Sequence, residues 1–336
     1  MEGALAASVV IVNYRGRGRL GRCLDALRAS PPGCSSEIIV IDNASDDGSW
    51  DEAGGREGVR LVRNPANVGF GRACNQAAGL AAGRHLVFLN YDCEPETGWL
   101  DALVHCADDD PGVGAAQAVV LHPDGTVNTA GNRLHYLGFS WAPNGGPAPH
   151  GPPAEITVGS GACLLVPAQR FREVGGFWEA MFLYCEDTDI CWRLRLAGLR
   201  IVVVPGSRVR HDYEFGRNPS KMFHLERNRM LMVAANYEAL TLARLAPALL
   251  GTELALLVVA AKGGWLPQKL RAVSSAARAL PAVREQRAAV ARLRQIPDSG
   301  LTRRLERRLG PEFGEGVARV SAPLLSAYAR LVRLRG

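Results

Sequence analysis

The chain has 336 residues, of which 47% are hydrophobic and 21% are charged, and its formal net charge is +6. This balance is typical of a globular protein and excludes a wholly disordered chain. The length suffices for one large α/β domain with an appended region, and the sequence lacks the fixed-period repeats of collagen-like and solenoid proteins.

Strand-like and helix-like segments alternate over the first 120 residues, which is the pattern of a largely parallel sheet. Runs of β-branched and apolar residues predict the strands, and apolar residues at helical spacing predict the helices. The predicted strands lie at residues 8–13, 37–42, 59–63, 86–90 and 113–121, and the predicted helices at 20–29, 70–82 and 99–107.

The middle of the chain begins with a turn signal at residues 123–125, where we expect the chain to reverse. Residues 132–155 are rich in Gly, Pro, His and aromatic residues and lack periodicity, which predicts a long functional or mobile loop. After this loop the pattern predicts strands at 162–166 and 200–204, helices at 187–197 and 221–237, and a polar loop at 211–218.

The C-terminal part of the chain is first apolar and then basic. Residues 240–262 are mostly apolar, but Arg244 and Glu253 leave uncharged runs shorter than the roughly 20 residues that a spanning helix needs. Residues 262–336 hold 16 Lys or Arg against 5 Asp or Glu, a net charge of +11, whereas residues 1–261 carry −5. This order is typical of a segment that lies at a membrane interface. The alternative is a buried helix packed on the rest of the protein, and nucleic acid is disfavoured because the tail lacks interleaved aromatic residues.

The N-terminus and the cysteines indicate the cellular compartment of the protein. The first eight residues carry Glu2 but no Lys or Arg before an apolar strand, which makes a poor export signal. The eight cysteines are scattered without a Cys-x-x-Cys pair, so we interpret them as reduced thiols and not as disulfides or a zinc site. We therefore expect a cytoplasmic protein that lies peripherally on the inner face of the cell membrane.

Polar side chains follow three of the predicted parallel strands, at the edge where open α/β sheets bind ligands. These polar segments are residues 13–15, 42–43 and 90–94. The first strand is not followed by a Gly-x-Gly-x-x-Gly motif, and the Gly-x-Gly at residues 69–71 lacks its third glycine. A dinucleotide-binding site is therefore excluded.

Three segments are candidates for chemistry. Asp92 and Glu94, one residue apart on a loop after a buried strand, can both reach one divalent cation of the Mg²⁺ or Mn²⁺ type. The acidic run at residues 186–189 exceeds what a helix cap needs, so one of its carboxylates can serve as a general base, with capping as the alternative. His211, which follows a predicted strand, is a candidate metal ligand, with a structural role as the alternative.

Taken together, these segments resemble glycosyltransferase family 2, the inverting enzymes of the GT-A fold, and within it the bacterial rhamnosyltransferase-like branch. The matching motifs occur in the family's order over about residues 8–230. They are SVVIVNY at 8–14, IVIDNASDDGS at 39–49, NPANVGFGRACN at 64–75, FLNYDCE at 88–94, GSGACLLV at 159–166, VGGF at 174–177 and EDTDICWRL at 186–194.

The resemblance implies the architecture of the whole chain. Residues 1–237 would form an α/β GT-A domain, a Rossmann-like and mostly parallel sheet with helices on both faces. Residues 238–336, which match the family only loosely, would form a C-terminal amphipathic and basic helical extension associated with the membrane.

The resemblance also implies a nucleotide pocket. Tyr14 and Asp42 would hold the nucleobase of a nucleotide-sugar donor. Asn67 and Asn75 would border the nucleotide pocket, and Arg72 would contact the diphosphate.

The metal and base positions are implied in the same way. Asp92 and Glu94 match the D-x-D motif that holds Mg²⁺ or Mn²⁺ on the donor diphosphate, and His211 matches a histidine that completes the metal site. Asp187 matches the general base that deprotonates the acceptor hydroxyl, with Glu186 beside it.

The sequence departs from the family pattern at two positions. Tyr91 stands where a small residue or Pro is common, and Glu94 replaces an Asp. The longer side chain of Glu94 would reach the metal through water.

The implied function is that of a metal-dependent inverting glycosyltransferase. It would move a hexose or deoxyhexose such as rhamnose from a dTDP- or UDP-sugar to a hydroxyl of a cell-envelope or lipid-linked glycan. The 132–155 segment would cover the acceptor with His135, Tyr136, Trp141 and His150. One alternative is a nucleotidyltransferase that binds phosphate through the basic residues at 13–19, and the other is a non-catalytic nucleotide-sugar-binding protein.

Overall fold

The computed structural model describes residues 5–143, 145–212, 220–309, 325–330 and 332. The chain divides into two compact units. The first unit comprises residues 1–132, 142–194 and 199–215, and the second comprises residues 133–141, 195–198 and 216–336. A domain boundary between residues 237 and 238 stays a prediction.

The secondary structure alternates between strands and helices in the first half of the chain and is helical towards the C-terminus. The strands of the described residues are β1 (Ala7–Asn13), β2 (Ser36–Asp42), β3 (Val59–Arg63), β4 (His85–Leu89), β5 (Cys93–Pro95), β6 (Val113–Leu121), β7 (Val127–Thr129), β8 (Arg133–Leu134), β9 (Ser140–Trp141), β10 (Ala154–Glu155), β11 (Cys163–Pro167) and β12 (Arg200–His211). The α-helices are α1 (Arg19–Ala29), α2 (Ser49–Ala53), α3 (Phe70–Leu80), α4 (Trp99–Asp109), α5 (Ala168–Glu173), α6 (Glu186–Leu196), α7 (Lys221–Asn236), α8 (Ala239–Lys262), α9 (Leu266–Arg278), α10 (Leu280–Leu293) and α11 (Asp298–Thr302).

One mixed sheet organises the first unit. Over the described residues it has ten strands, in the order β10-β12-β6-β11-β4-β1-β2-β3, with β5 on β12 and β7 on β6. The β-branched runs of β1, β2, β3 and β4 pair in parallel, as such buried strands do. β11 is antiparallel to its neighbours, so its first residue, Cys163, lies opposite Leu89 at the end of β4. The predicted fold class, a mostly parallel α/β sheet with additional C-terminal helices, is confirmed.

The predicted elements of the first 121 residues agree with the structure to within two residues at nearly every boundary. β3 and β6 have the predicted bounds. α3 ends at Leu80 because Ala81 is extended, with φ −75° and ψ 136°. The predicted reversal is also confirmed, since β7 returns antiparallel to β6.

The strand predicted at residues 200–204 is longer in the structure. β12 continues to His211 through a register shift between Val204 and Arg208 in its pairing with β6. Pro205 and Gly206 made the strand seem to end, because both residues are rare inside strands, but an irregularity of this kind accommodates them. Residues 213–218 of the predicted polar loop lie outside the described residues.

The 132–155 segment is more ordered than predicted. β8 and β9 form a short antiparallel pair, and β10 pairs with β12. His135 and Tyr136 are buried within the second unit, where the hydroxyl of Tyr237 donates to the carbonyl of Tyr136 at 2.9 Å. The hypothesis that these two residues cover the acceptor is therefore wrong, because they have almost no exposed surface.

The apolar core of the first unit lies between the sheet and helices such as α1 and α4. The buried residues of α1 include Leu20, Leu24 and Leu27, which share one helix face. They belong to one cluster with strand residues such as Val9 and Val120. Each fully buried side chain of this kind contributes about 1.5–3 kcal/mol. This packing fixes the sheet, and the polar loops at its edge are positioned by it.

A buried ion network joins three helices of the second unit. The ammonium of Lys269 contacts the carboxylates of Glu226 and Glu253, the latter at 2.6 Å. The guanidinium of Arg229 contacts the same two carboxylates. Two cations therefore neutralise two anions, which is the arrangement that makes buried charge tolerable.

Helix α8 corrects two expectations. It is one continuous helix of 24 residues, long and apolar enough to cross a membrane by length and composition. The expectation that Arg244 and Glu253 interrupt this segment is wrong, because the helix continues through both residues. The alternative of a buried helix is wrong as well, since only two of its 24 residues, Leu245 and Ala260, are buried.

Candidate active site

The carboxyl ends of β1, β2 and β4 meet at one edge of the sheet, as their parallel registers require. At this edge the side-chain amide of Asn13 donates to a carboxylate oxygen of Asp42 at 2.6 Å. The other oxygen of Asp42 accepts from the backbone N–H of Ser45 at 3.0 Å, and the residue is fully buried. Asp42 therefore orders the two strand ends, and its contact with a nucleobase stays a prediction. Tyr14, one residue beyond β1, is 38% exposed.

The structure brings Asp92 and His211 together. β5 pairs antiparallel with the last residues of β12, which places His211 opposite Cys93. The imidazole Nε2 of His211 lies 3.0 Å from the carboxylate Oδ1 of Asp92, and both residues are buried. The ligand atoms of Asp92, Cys93 and His211 all lie within 4.8 Å of one another. A carboxylate oxygen beside an imidazole nitrogen suits a divalent cation such as Mn²⁺, so these two residues fit the predicted metal.

Cys93 is a neighbour of this group that sequence reasoning missed. Its thiol donates to the carbonyl oxygen of Ala162 at 3.4 Å. Burial, together with the carboxylate of Asp92, raises the pKa of Cys93 well above its usual range. The thiol is therefore neutral and serves here as a hydrogen-bond donor.

Glu94 has a different partner from Asp92. One of its carboxylate oxygens accepts from Nε of Arg22 at 2.9 Å. Arg22 also lies 3.3 Å from Asp212, which in turn accepts from Arg19 at 3.1 Å. These two arginines were not identified from the sequence as neighbours of the motif, since 72 residues separate Arg22 from Glu94. Ligation of a metal by Glu94 stays a prediction.

Asp187 lies in the first turn of α6 and accepts hydrogen bonds from backbone donors. Its Oδ2 accepts from the N–H of Gly161 at 2.9 Å, and its Oδ1 accepts from the N–H of Thr188 at 2.6 Å. Burial raises the pKa of Asp187, and these two backbone N–H groups oppose the rise. A carboxylate with a raised pKa and a fixed orientation is suited to accept a proton.

Glu186 lies beside Asp187 and is more deeply buried. It is 8% exposed, and within the described part of the chain its Oε2 atom has no hydrogen-bond partner. Burial, followed by the charge of Asp187, raises the pKa of Glu186 to about 8. Glu186 is therefore a neutral acid at pH 7, so Asp187 is the better candidate for a base.

One peptide segment links the Asp92 group to Asp187. The carbonyl oxygen of Ala162 accepts from the backbone N–H of Asn90 at 3.0 Å and from the thiol of Cys93. Gly161, the preceding residue, donates to Asp187. The two groups therefore meet at the same edge of the sheet, next to the start of β11. Gly161 and Ala162 belong to the GSGACLLV motif at residues 159–166, but the motif alone did not indicate a role for either residue.

Strained backbone precedes Asp187. Phe182, Tyr184 and Cys185 have φ of 64°, 67° and 69°, a region that non-glycine residues seldom adopt. The carbonyl of Phe182 accepts from the N–H of Phe70 at 2.7 Å. Gly69 makes this approach feasible, because a Cβ atom there would lie 2.6 Å from that carbonyl oxygen. The loop before α6 is thereby attached to the start of α3.

Three of the residues predicted to bind the nucleotide lie in or next to α3. The side-chain oxygen of Asn67 accepts from the N–H of Gly69 at 2.9 Å. The amide of Asn75 both donates to and accepts from the backbone of Phe177, at 2.9 Å each. Arg72 is exposed, with its Nε 3.7 Å from a carboxylate oxygen of Glu179. Contact of Asn67, Asn75 and Arg72 with a nucleotide stays a prediction.

Acidic side chains lie close to the basic segment after β1. Arg15 forms an ion pair with Asp46 at 2.7 Å, and the N–H of Arg17 donates to Asp47 at 2.9 Å. Gly16, between them, is close to the ring of Tyr91, where a Cβ atom would lie 2.7 Å from Cδ2. The bulky Tyr91 is thus accommodated by a glycine. The charges of Arg15 and Arg19 are thus paired with acids, which does not favour a phosphate-binding loop.

The family model described as glycosyl transferase family 2 matches residues 8–175, which is half of the chain. The chain belongs to glycosyl transferase family 2. This family 2 protein is 34% identical over 241 residues to N-acetylglucosaminyl-diphospho-decaprenol L-rhamnosyltransferase from Mycobacterium tuberculosis, covering 63% of this chain and 78% of that relative. It is 30% identical over 179 residues to the pre-mycofactocin glycosyltransferase of the same organism, covering 52% and 37%. The predicted family and its rhamnosyltransferase-like branch are confirmed.

Solved structures share the fold of this family 2 protein. GalNAc-T7 with UDP, GalNAc and Mn²⁺ matches with a TM-score of 0.59 and 20% identity, over 73% of this chain and 51% of that one. S. aureus TarS 1–349 in complex with UDP-GlcNAc matches with a TM-score of 0.56 and 14% identity, over 97% and 92%. The predicted GT-A fold is thereby confirmed.

Family membership settles the class of reaction. The protein is a glycosyltransferase, and transfer in this family inverts the anomeric carbon. The nucleotidyltransferase and non-catalytic alternatives are therefore not supported.

Proposed function

We propose that this glycosyltransferase transfers a deoxyhexose such as rhamnose, or a hexose, from a dTDP- or UDP-sugar to a hydroxyl of a lipid-linked or cell-envelope glycan. The rhamnosyltransferase relative, whose name specifies N-acetylglucosaminyl-diphospho-decaprenol, supports the choice of sugar and acceptor. The observation that carries the mechanism is the peptide segment at Gly161 and Ala162, which puts the Asp92 group next to Asp187.

Asp92 and His211 would hold Mg²⁺ or Mn²⁺, with Glu94 completing the site after separating from Arg22. GalNAc-T7 was solved with UDP, GalNAc and Mn²⁺, which supports a divalent metal in this fold. When bound, the cation neutralises negative charge that develops on the departing nucleoside diphosphate.

Asp187 takes the proton of the acceptor hydroxyl while the hydroxyl oxygen attacks the anomeric carbon and the nucleoside diphosphate departs. The backbone N–H groups of Gly161 and Thr188 keep the carboxylate in one orientation during this transfer. General base catalysis of this kind contributes about 10²–10⁴-fold to the rate. A single displacement inverts the anomeric carbon, so the enzyme needs no nucleophile of its own. Glu186, neutral at pH 7, would serve as a hydrogen-bond donor beside the base.

Tyr14 and Asp42 would form the nucleobase end of the donor pocket. The exposed ring of Tyr14 is available for stacking, and the buried carboxylate of Asp42 orders the strand end behind it. Asn67, Asn75 and Arg72 would border the same pocket on the α3 side. Because a lipid-linked acceptor resides in a membrane, we place the enzyme in the cytoplasm, peripherally on the inner membrane face.

The proposed reaction is tested with the purified full chain, Mn²⁺, a panel of dTDP- and UDP-sugars, and a polyprenyl-diphospho-N-acetylglucosamine acceptor. We expect acceptor-dependent release of nucleoside diphosphate and a glycosylated lipid product. Sugar transfer without a requirement for divalent metal would contradict the metal assignment. Release of pyrophosphate would contradict glycosyl transfer.

The role of Asp187 is tested by Asp187→Asn, which removes the base but preserves the shape of the side chain. We expect transfer to fall by about 10²-fold or more, while the donor still raises the melting temperature as it does in the wild type. Asp51→Asn, at an exposed acid on α2, is the matched control and should keep full activity. Unchanged transfer by the Asp187 variant would remove this residue from the mechanism.

A further inference from the structure

Large apolar side chains are exposed in one part of the second unit. Over the described residues, ten large hydrophobic residues are exposed, and eight of them lie between residues 240 and 280. Between Arg244 and Lys262 of α8, the three most exposed of them are Leu250 at 65%, Leu254 at 67% and Val258 at 56%. Leu270 and Val273 of α9 are exposed as well. Such a concentration of exposed apolar side chains in one stretch of the chain indicates an interaction site.

The exposed residues of α8 recur at helical spacing. Those between Arg244 and Lys262 share one side of the helix, which we call the α8 outer face: Pro247, Leu250, Gly251, Leu254, Ala255, Val258, Val259 and Ala261. Within its bounds the α8 outer face carries no charged residue, and a basic residue stands at each end. This is the distribution of a helix that lies in the interface of a membrane.

The opposite side of α8 is fixed by the ion network. Glu253 is the charged residue of α8 between Arg244 and Lys262, and its carboxylate binds Lys269 at 2.6 Å. Arg229 binds the other oxygen of Glu253, and the side chains of Lys269 and Arg229 are 0% and 3% exposed. The rotation of α8 about its axis is thereby set, so the apolar side has to point away from α7 and α9.

The same network argues against a spanning orientation. Glu253 is near the middle of α8, so a helix that crossed the bilayer would carry Glu253 and its cationic partners into the hydrocarbon. Charged groups in that region are costly. A helix lying in the membrane plane keeps the network on the protein side and buries only the α8 outer face.

The basic residues select the kind of lipid. Arg244 and Lys262 stand at the two ends of the α8 outer face, and Arg271 and Arg278 are exposed on α9. The 262–336 segment has a net charge of +11. Each basic residue near an anionic membrane surface adds about 1 kcal/mol of attraction. The charge is therefore complementary to phosphatidylglycerol or a similar anionic headgroup.

We propose that α8 binds flat on an anionic membrane surface, with the α8 outer face inserted among the lipids and the Glu253 network facing the protein. This inference rests on the proposed function in one respect, namely that a lipid-linked acceptor has to be reached at that surface. It adds the helix, the face and the in-plane orientation by which the enzyme is held there.

The test is cosedimentation of the purified full chain with vesicles of phosphatidylcholine containing 30% phosphatidylglycerol. We expect the wild type to bind these vesicles and to bind pure phosphatidylcholine vesicles much less. The double variant Leu250→Glu with Leu254→Glu should lose roughly tenfold or more in partition coefficient, because two leucines no longer enter the lipid. Arg244→Gln with Lys262→Gln should weaken binding to anionic vesicles without affecting the small uptake by neutral ones.

The matched control is Ala288→Glu with Ala291→Glu, which adds the same two acids to exposed positions of α10. This control lowers the net charge equally but leaves the α8 outer face intact, so it should keep most of the vesicle binding. Equal losses in both double variants would overturn the role of the α8 outer face. Circular dichroism and melting temperature establish that each variant is folded.

The in-plane orientation is tested by extraction of the vesicle-bound protein with sodium carbonate at pH 11. A protein bound in the plane should be released, and protein retained in the vesicles would overturn the in-plane orientation in favour of a spanning α8.

Donor-induced thermal shifts separate this inference from the proposed function. Donor binding with no vesicle binding would overturn only the membrane proposal, and vesicle binding without any transfer activity would overturn only the proposed function.

Discussion

Asp92 and Glu94 are two positions apart in the chain, but their carboxylates have different surroundings. Asp92 is buried against His211, whereas Glu94 is half-exposed and paired with Arg22. An exposed ion pair of the second kind contributes about 0–1 kcal/mol, so it separates easily when a stronger partner arrives. The two acids should therefore contribute unequally to metal affinity.

We expect Asp92→Asn to abolish measurable Mn²⁺ binding and Glu94→Gln to weaken it by about tenfold, the effect of an outer ligand. The measurement is free Mn²⁺ by electron paramagnetic resonance in the presence of a nucleoside diphosphate. Asp46→Asn, which removes an exposed acid paired with Arg15, is the control and should leave Mn²⁺ affinity unchanged. Equal losses in the Asp92 and Glu94 variants would show that Glu94 ligates the metal directly.

Glu186 makes folding stability depend on pH. Burial, reinforced by the Asp187 carboxylate, raises its pKa to about 8 in the folded state, against about 4.3 for an exposed Glu. Between these two values the folded state binds more protons than the unfolded state. The contribution of Glu186 to stability is therefore complete below about pH 4.3 and is lost as the pH rises towards 8.

Glu186→Gln should remove this loss, because a glutamine side chain stays neutral. The melting temperature of the variant, relative to wild type, should rise by more than about 2 °C between pH 5 and pH 8. Thermal melts across this range provide the measurement. Glu57→Gln, at an exposed acid, is the control and should follow the wild-type curve. Parallel curves for Glu186→Gln and wild type would refute the burial of a protonated Glu186.

Among the elements, the entry into β4 depends on a close backbone approach. A Cβ atom on Gly83 would lie 2.5 Å from the backbone nitrogen of Ser8 in β1, so the segment before β4 passes β1 too closely for any other residue. Gly79, four residues earlier in α3, has nothing within 4 Å of the corresponding position. These two glycines therefore occupy opposite steric situations in one short stretch of chain.

Gly83→Ala should destabilise the protein by about 1–3 kcal/mol, the usual cost of forcing extra atoms into a packed region. Gly79→Ala should be neutral or stabilising by up to about 1 kcal/mol, because Ala favours the helix. Urea unfolding of both variants gives the comparison. A Gly83 variant as stable as wild type would mean that β1 and β4 can separate slightly at no cost.

Local sequence patterns predicted those helices and strands whose formation depends on the residues of the segment itself. The β-branched runs of β1, β2 and β3 and the apolar spacing of α1 are of this kind. The extension of β12 past Pro205 could not be predicted, because it depends on β5 and β6 supplying partners. The pairing of Glu253 on α8 could not be predicted either, because its partners Lys269 and Arg229 lie on other helices.

At the scale of the whole molecule, the family resemblance indicated which residues belong to the site, whereas the fold determines how far apart they lie. The sequence pointed to Asp92, His211 and Asp187 as separate candidates. Their arrangement requires the antiparallel β11, which brings the segment beginning at Gly161 to the carboxyl end of β4. Pairings across such distances depend on the topology of the sheet, so residue patterns alone could not show that Arg22 binds Glu94.

The charge division of the chain also has a structural counterpart. The acidic majority of residues 1–261 includes the carboxylates of the candidate active site, whereas the basic excess follows residue 262. An acidic site attracts a metal ion, and a basic extension attracts anionic lipid headgroups. The two parts of the sequence are thus suited to different ligands, a metal ion for the first and a membrane surface for the second.

The peptide segment at Gly161 and Ala162 limits how this enzyme can be re-engineered. Its carbonyl group supports the loop that carries Asp92, and its N–H group supports Asp187. A mutation that moved this segment would misplace both groups at once, so no compensating change at either one could restore turnover. Directed-evolution libraries aimed at a new sugar should therefore hold these two positions constant and randomise the exposed surroundings of Tyr14 and Arg72.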